Sequence, residues 1–114
     1  MRLTVMHRAP AIFVDVDDTL VRSFGSKRIP IAAMVTLVRD LKGAGAALYC
    51  WSTAGEEYAR SIAEEMGLAD CFRAFLPKPQ VLLDDVTVGN WRMVELHPAE
   101  CGSLTAAEVL ARLP

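Results

Sequence analysis

The stretch Ile12-Phe13-Val14-Asp15-Val16-Asp17-Asp18-Thr19-Leu20 decides how the rest of this chain can be interpreted. Its apolar start is typical of a buried strand in a parallel sheet. Asp15, Asp17 and Asp18 follow where that strand should end, and strand residues two apart face the same side. Ligands of open α/β sheets bind at the carboxyl ends of strands, and hard oxygen donors suit Mg²⁺. The stretch therefore predicts an α/β domain with a magnesium site at the end of its first strand.

The length and composition of the chain indicate one small domain, residues 1–114. A chain of 114 residues, 53% of them hydrophobic, has room for one packed core and enough apolar residues to fill it. A net charge of −2 and scattered basic residues weakly disfavour a nucleic-acid partner. The three cysteines lack C-x-x-C spacing, which argues against a zinc site or a disulfide framework.

The location of the protein is predicted from the same features. No signal-peptide pattern is present, and residues 1–10 form only a short lead-in to the first strand. The longest apolar stretch, 44–51, is too short to span a bilayer. Together with the three cysteines, which we expect to be reduced, these features predict a cytoplasmic protein without a membrane partner.

Strand and helix patterns alternate along the chain, which is typical of a parallel sheet flanked by helices. We expect strands at residues 11–16, 46–51, 71–75 and 81–83, with a further one at 92–96. Helices are expected at residues 30–42, 55–66 and 105–113. Capping boxes are predicted at two helix starts, Thr53 with Glu56 and Thr105 with Glu108.

Four short motifs resemble, in order, those of the haloacid dehalogenase-like (HAD) hydrolases. The first is Asp15-x-Asp17-x-Thr19 after an apolar strand; the second is a strand ending in Ser52. The third is Lys78 between two prolines, and the fourth is a strand ending in Asp84-Asp85. The resemblance covers residues 11–85. It implies a single catalytic domain with a three-layer, Rossmann-like fold and a mainly parallel central sheet.

The resemblance also implies a phosphatase that acts through an aspartyl-phosphate. Asp15 is then the nucleophile. Asp17 protonates the leaving group and afterwards activates water. Ser52 hydrogen-bonds a phosphoryl oxygen, and Lys78 places a positive charge beside the nucleophile and the phosphate. Each residue also has an ordinary structural interpretation, such as a turn cap for the aspartates and Ser52 or a solvated loop lysine for Lys78.

Mg²⁺ is the implied cofactor. Its ligands would be Asp15, the backbone carbonyl of Asp17 and the Asp84-Asp85 pair, with Asp85 the more direct ligand of that pair. The alternative for Asp84-Asp85 is a turn that the two aspartates open. Trp91 follows this motif; packing is the more common role for an aromatic residue, and lining the site is the other.

A hairpin flap is expected between the first strand and the first helix, around the turn signal Gly25-Ser26. Many HAD enzymes insert a cap domain after this flap or between the second and third motifs. Here the expected elements fill both intervals, so we predict a capless, open site. A second subunit or a large phosphorylated substrate would cover it; otherwise the enzyme should select poorly among small phosphate esters.

Three other functions are alternatives to the phosphatase. Dehalogenases of the same superfamily lack the second aspartate of the first motif, so Asp17 argues against that activity. Receiver domains carry their phosphorylated aspartate at the end of a middle strand, where this chain has Ser52. The remaining alternative is a catalytically weak or silent HAD-fold domain with an interaction or regulatory role.

Overall fold

A computed structural model describes residues 8–114 and contains, in that range, five strands and four α-helices. The strands are β1 (Ala11–Asp15), β2 (Val21–Phe24), β3 (Lys27–Pro30), β4 (Ala47–Ser52) and β5 (Phe72–Pro77). The helices are α1 (Ala32–Gly43), α2 (Glu56–Glu65), α3 (Pro98–Cys101) and α4 (Ala106–Leu110). Most of the expected lead-in, residues 1–7, lies outside the described range.

The central element is a parallel sheet with the order β1-β4-β5. In its register Val14 lies beside Cys50, and Trp51 lies beside Leu76. Both crossovers step in the same direction across the sheet, and right-handed crossovers of that kind place α1 and α2 on the same face. The predicted α/β domain with a parallel sheet is therefore found, with three strands.

The core lies between this sheet and the two long helices. Leu48 and Cys50 of β4 are completely buried and belong to one cluster with Val38 of α1 and Ile62 of α2. Each large apolar side chain that is removed from water in this way contributes about 1.5–3 kcal/mol to folding. The sheet is thus held against the helices by alternate residues of β4.

The opposite face of the sheet carries a row of aromatic side chains. Phe13 stacks on Tyr49 with ring centroids 5.0 Å apart and meets Trp51 edge-on at 4.7 Å. Phe13 remains 46% exposed. Helices α3 and α4 make their main contacts with α1 and not with this face. Within residues 8–114, the third layer of the expected Rossmann-like arrangement is not found over the aromatic row.

The predicted hairpin is present. Strands β2 and β3 pair antiparallel around Gly25, whose φ of 60° suits a residue without a Cβ. Only Val21 of the two strands is buried. The hairpin and α1 fill the interval between Thr19 and Ser52, while α2, a short 3₁₀ turn and β5 fill that between Ser52 and Lys78. The described chain carries no inserted domain in either interval.

Two expected strands are absent, and both predictions are wrong. Residues 81–83 and 92–96 have no regular structure, and Val81 and Leu83 are 75% and 92% exposed. Three apolar residues in a row do not distinguish a strand from an exposed loop, because pairing depends on the neighbouring chain. As a result, the outer edge of β1 has no strand partner among residues 8–114.

The helix ends test the two capping predictions. Thr105 and Glu108 form the predicted reciprocal box, although α4 ends at Leu110 and not near Leu113. The box at Thr53 is wrong: α2 starts after Gly55, whose φ is 106°, and no side chain caps it. Across residues 8–114 no helix is long and apolar enough to cross a membrane; the longest, α1, has 12 residues.

Candidate active site

A tight turn after β1 places the first-motif side chains. The carbonyl of Val16 accepts hydrogen bonds from the backbone N–H groups of Thr19, Leu20 and Val21, at 3.2, 2.9 and 3.3 Å. Asp18 lies in the left-handed region with φ 61°, which aspartate tolerates better than most residues. Because Val16 and Leu20 are completely buried, the turn is anchored in the core while its polar side chains face outward.

Asp15 is held from both sides at the end of β1. Its Oδ1 lies 3.2 Å from Nζ of Lys78, and its Oδ2 accepts a hydrogen bond of 3.2 Å from Oγ1 of Thr19. The two charged side chains are 30% and 34% exposed, so the ion pair is accessible to solvent and to a ligand. A pair this exposed adds at most about 1 kcal/mol to stability, and its main effect is to orient the carboxylate.

Lys78 is positioned by the end of the sheet. Its backbone N–H donates to the carbonyl of Ser52 at 2.9 Å, directly after the pairing of Ser52 with Pro77. Its Nζ lies 6.0 Å from the centroid of the Trp51 ring, at the limit of a cation–π contact. The structure thus brings Lys78 to Asp15, as the motif order implies, although the two residues are far apart in sequence.

Ser52 is the last residue of β4 and is only 2% exposed. Its Oγ accepts a hydrogen bond of 3.0 Å from the backbone N–H of Ala54, which shapes the turn into α2. This leaves the hydroxyl proton of Ser52 able to donate. Its direct link to Lys78 runs through the backbone, and its side chain has the local turn role that the sequence also allowed.

Asp17 has different partners from Asp15. Its Oδ1 accepts a hydrogen bond of 2.7 Å from the phenol of Tyr58 in α2, and the phenol oxygen accepts one of 3.1 Å from Nε of Arg28 in β3. Burial, more than any other cause, raises the pKa of the Tyr58 phenol. The hydrogen bond to Tyr58 is the main cause that raises the pKa of Arg28.

The sequence connects neither Tyr58 nor Arg28 with Asp17. No spacing pattern connects residues 17, 28 and 58, since they come from three different elements. The available signal is weak: Tyr58 lies in the first turn of a helix, directly after Glu56 and Glu57.

Asp84 and Asp85 lie in the irregular chain that follows β5. The Oδ1 of Asp84 accepts a hydrogen bond of 2.8 Å from the backbone N–H of Val86, which makes the pair the start of a turn. Within the described 107 of the 114 residues, no three His, Cys, Asp or Glu side chains gather in a way that could hold a metal ion. Mg²⁺ binding by Asp15, the backbone carbonyl of Asp17 and the Asp84-Asp85 pair stays a prediction.

A cleft of about 740 Å³ runs along the free edge of β1, and we call it the β1 cleft. Asp15, Thr19 and Lys78 line it together with Trp51. Most of its other walls are apolar and come from α1 and from the chain after Lys78. Trp91 lines the cleft as well, which matches the less common of its two expected roles, and its Nε1 donates to the carbonyl of Val86 at 3.0 Å.

The β1 cleft has the size and composition of a small-molecule site. Its volume lies in the range of ordinary ligand pockets, which combine apolar walls with a few polar groups. The charged residues that line it are Asp15, Lys78, Arg92 and Glu95. No protein-family model, curated protein or solved structure matches this chain.

Proposed function

We propose that this chain is a phosphatase that hydrolyses a phosphate monoester through an aspartyl-phosphate on Asp15. The observation that carries the proposal is the Asp15–Lys78 pair, 3.2 Å apart, on the wall of the β1 cleft. A carboxylate oriented beside a fixed cation suits attack on a phosphate, because the cation draws the anion in and offsets the charge that develops. The ordered resemblance to the HAD motifs supports the same reaction and a HAD-like, Rossmann-like fold.

In the first step, an oxygen of Asp15 forms a bond to phosphorus while the bond from phosphorus to the ester oxygen breaks. Asp17, in its acid form, transfers its proton to the departing oxygen, which leaves as the alcohol. Lys78 offsets the charge on the phosphoryl oxygens. The free hydroxyl proton of Ser52 supports its assignment as a donor to one of these oxygens.

In the second step, Asp17, now a carboxylate, takes a proton from water as the water oxygen bonds to phosphorus. The bond from phosphorus to the Asp15 oxygen breaks, which regenerates the nucleophile and releases inorganic phosphate. Asp17 therefore returns to its acid form after each turnover, and the cycle needs no external acid or base.

Mg²⁺ dependence is part of the proposal, since carboxylate and carbonyl oxygens suit this ion. Asp15, the backbone carbonyl of Asp17 and the Asp84-Asp85 pair would hold the ion, and it would help to offset the charge on the phosphoryl oxygens. A cytoplasmic location, and either a second subunit or a macromolecular substrate over the open cleft, complete the proposal.

A catalytically silent interaction domain is the second candidate. One observation favours it, the apolar character of most of the β1 cleft. A domain of this kind would bind a partner in the cleft and would not turn over a phosphate ester.

Turnover of p-nitrophenyl phosphate with Mg²⁺ separates the two candidates. We expect activity in the wild type and a loss of at least about 1,000-fold in Asp15→Asn, because an amide cannot form the acyl-phosphate. Asp70→Asn is the matched control: the same change at an exposed position before β5, at the opposite end of the sheet. An inactive wild type, or a folded Asp15→Asn variant with full activity, overturns the proposal.

A further inference from the structure

A chain of two hydrogen bonds connects Asp17 to the hairpin. Nε of Arg28 donates to the Tyr58 oxygen at 3.1 Å, and the Tyr58 hydroxyl donates to Oδ1 of Asp17 at 2.7 Å. The guanidinium of Arg28 also lies over the Tyr58 ring, 5.2 Å from its centroid. The three residues come from β3, from α2 and from the turn after β1, so the chain joins three elements around one carboxyl group.

The direction of this chain is fixed by its chemistry. A guanidinium can only donate, so the Tyr58 oxygen is the acceptor of the Arg28 bond. The phenol proton is then free for Asp17, and the 2.7 Å distance is typical of a good O–H···O hydrogen bond. Neighbouring hydrogen bonds of this kind strengthen each other.

The bond to Tyr58 also distinguishes the two oxygens of Asp17. Since Oδ1 accepts the phenol proton, Oδ2 is the oxygen left to carry an acid proton and to face a leaving group. Asp17 is exposed, and an exposed aspartate side chain without a partner rotates among several orientations. Tyr58 restricts this rotation.

The hairpin is attached to the body of the domain by few buried contacts. Of the residues in β2 and β3 only Val21 is buried, and the remaining seven are exposed. The Arg28–Tyr58 bond is therefore a substantial part of what holds β3 near α2. Movement of the hairpin away from α2 would break this bond and release Tyr58.

We propose that Tyr58 is the positioning residue for Asp17 and that Arg28 makes this positioning depend on the docked hairpin. The inference rests on the proposed function, because it gives Asp17 its role as acid and base. The hairpin thereby regulates the site: the acid is in place for a leaving group only while Arg28 contacts Tyr58.

The first test removes the phenol hydroxyl alone, in Tyr58→Phe, and measures kcat/KM for a good and a poor leaving group. With an alkyl phosphate, which needs the acid, we expect a loss of about 10-fold to 100-fold from misplacement of Asp17. With p-nitrophenyl phosphate we expect a loss below about threefold, and KM for both esters should stay within about threefold.

Tyr49→Phe is the matched control for this substitution. Tyr49 stacks on Phe13 at the opposite face of the sheet, and its hydroxyl makes no hydrogen bond within residues 8–114. The control should keep the wild-type ratio between the two esters. Thermal unfolding of both variants shows whether either change acts through stability.

The second test breaks the same chain from the hairpin side, in Arg28→Gln, with Arg22→Gln on β2 as its control. We expect Arg28→Gln to reproduce the leaving-group dependence of Tyr58→Phe. We also expect backbone amides of residues 21–29 to exchange with solvent at least about threefold faster in both chain-breaking variants, because the hairpin loses its contact with α2. Arg22→Gln should change neither quantity.

The outcomes separate this inference from the proposed function. An active wild type whose Tyr58→Phe variant treats both esters like the wild type overturns the positioning role and leaves the phosphatase standing. Unchanged hairpin exchange in both chain-breaking variants overturns the role of Arg28. A wild type without turnover overturns the phosphatase and, with it, the positioning role.

Discussion

The chain has two aspartate pairs that follow similar apolar runs, and the structure treats them differently. Asp15 and Asp17 come after Ile12-Phe13-Val14, which forms a strand with Val14 only 6% exposed. The pair Asp84-Asp85 comes after three apolar residues that pair with no strand, the last of them 92% exposed. An apolar run followed by acids is therefore not sufficient for a strand; a neighbouring strand and a covering helix must also bury the run.

The same substitution, made once in the buried sheet and once in the exposed loop, should show the largest difference. Leu48→Ala in the central strand should lower the free energy of unfolding by about 2–5 kcal/mol, because it leaves a cavity in the core. Leu83→Ala removes the same atoms from an exposed loop and should change that free energy by less than about 0.5 kcal/mol. Urea unfolding of both variants measures the contrast, and comparable losses would show that residues 81–83 are buried after all.

The second aspartate pair offers a sharper test, through metal dependence. Asp84 already uses Oδ1 in its turn, whereas the Asp85 carboxylate makes no hydrogen bond within residues 8–114. We therefore expect Asp85→Asn to raise the Mg²⁺ concentration for half-maximal turnover by at least about 10-fold. Asp84→Asn should raise it less, by about threefold at most.

This result would show that the Asp85 carboxylate binds the metal directly. A larger effect in Asp84→Asn would reverse the order of the two ligands. No effect in either variant would show that the second pair is only a turn and that the two regions stay separate.

The smallest expected effect concerns the reactivity of two thiols, one in the central strand and one in helix α3. Burial raises the pKa of Cys50, in the central strand, to about 12, so almost no thiolate forms at pH 8. Burial also raises the pKa of Cys101, which lies in the short helix α3. We expect a disulfide reagent at pH 8 to label Cys101 several-fold faster than Cys50, as peptide mass spectrometry can measure. Faster labelling of Cys50 would mean that strand β4 opens to solvent more readily than helix α3.

Much of the sheet and its helices could be predicted because their signals are local and repeated. The stripe of apolar residues in α1, the Gly25-Ser26 turn and the Thr105–Glu108 box each specify a conformation within a few residues. Whether residues 81–83 form a strand could not be predicted, because it depends on whether this segment pairs with the free edge of β1. The helix α2 was expected at the right place, but its cap was not: Gly55, with a φ of 106°, precedes the helix, and no side chain caps it.

The contacts of the candidate site could likewise be predicted only in part. The contact of Asp15 with Lys78 could be anticipated, because parallel strands deliver their following residues to one edge of the sheet. The contact of Asp17 with Tyr58 and Arg28 could not, since it depends on how a hairpin and a helix meet across the turn after β1. The residues that perform chemistry were thus easier to find than the residues that position them.

Direct detection of phosphate on Asp15 tests the central claim. An Asp17→Asn variant lacks the base for the second step, so it should accumulate the aspartyl-phosphate when mixed with p-nitrophenyl phosphate and quenched in acid. Borohydride reduction followed by peptide mass spectrometry should find the modification on Asp15 and on no other aspartate. A quenched enzyme that turns over substrate yet carries no phosphate on Asp15, or carries it on another residue, would contradict the account.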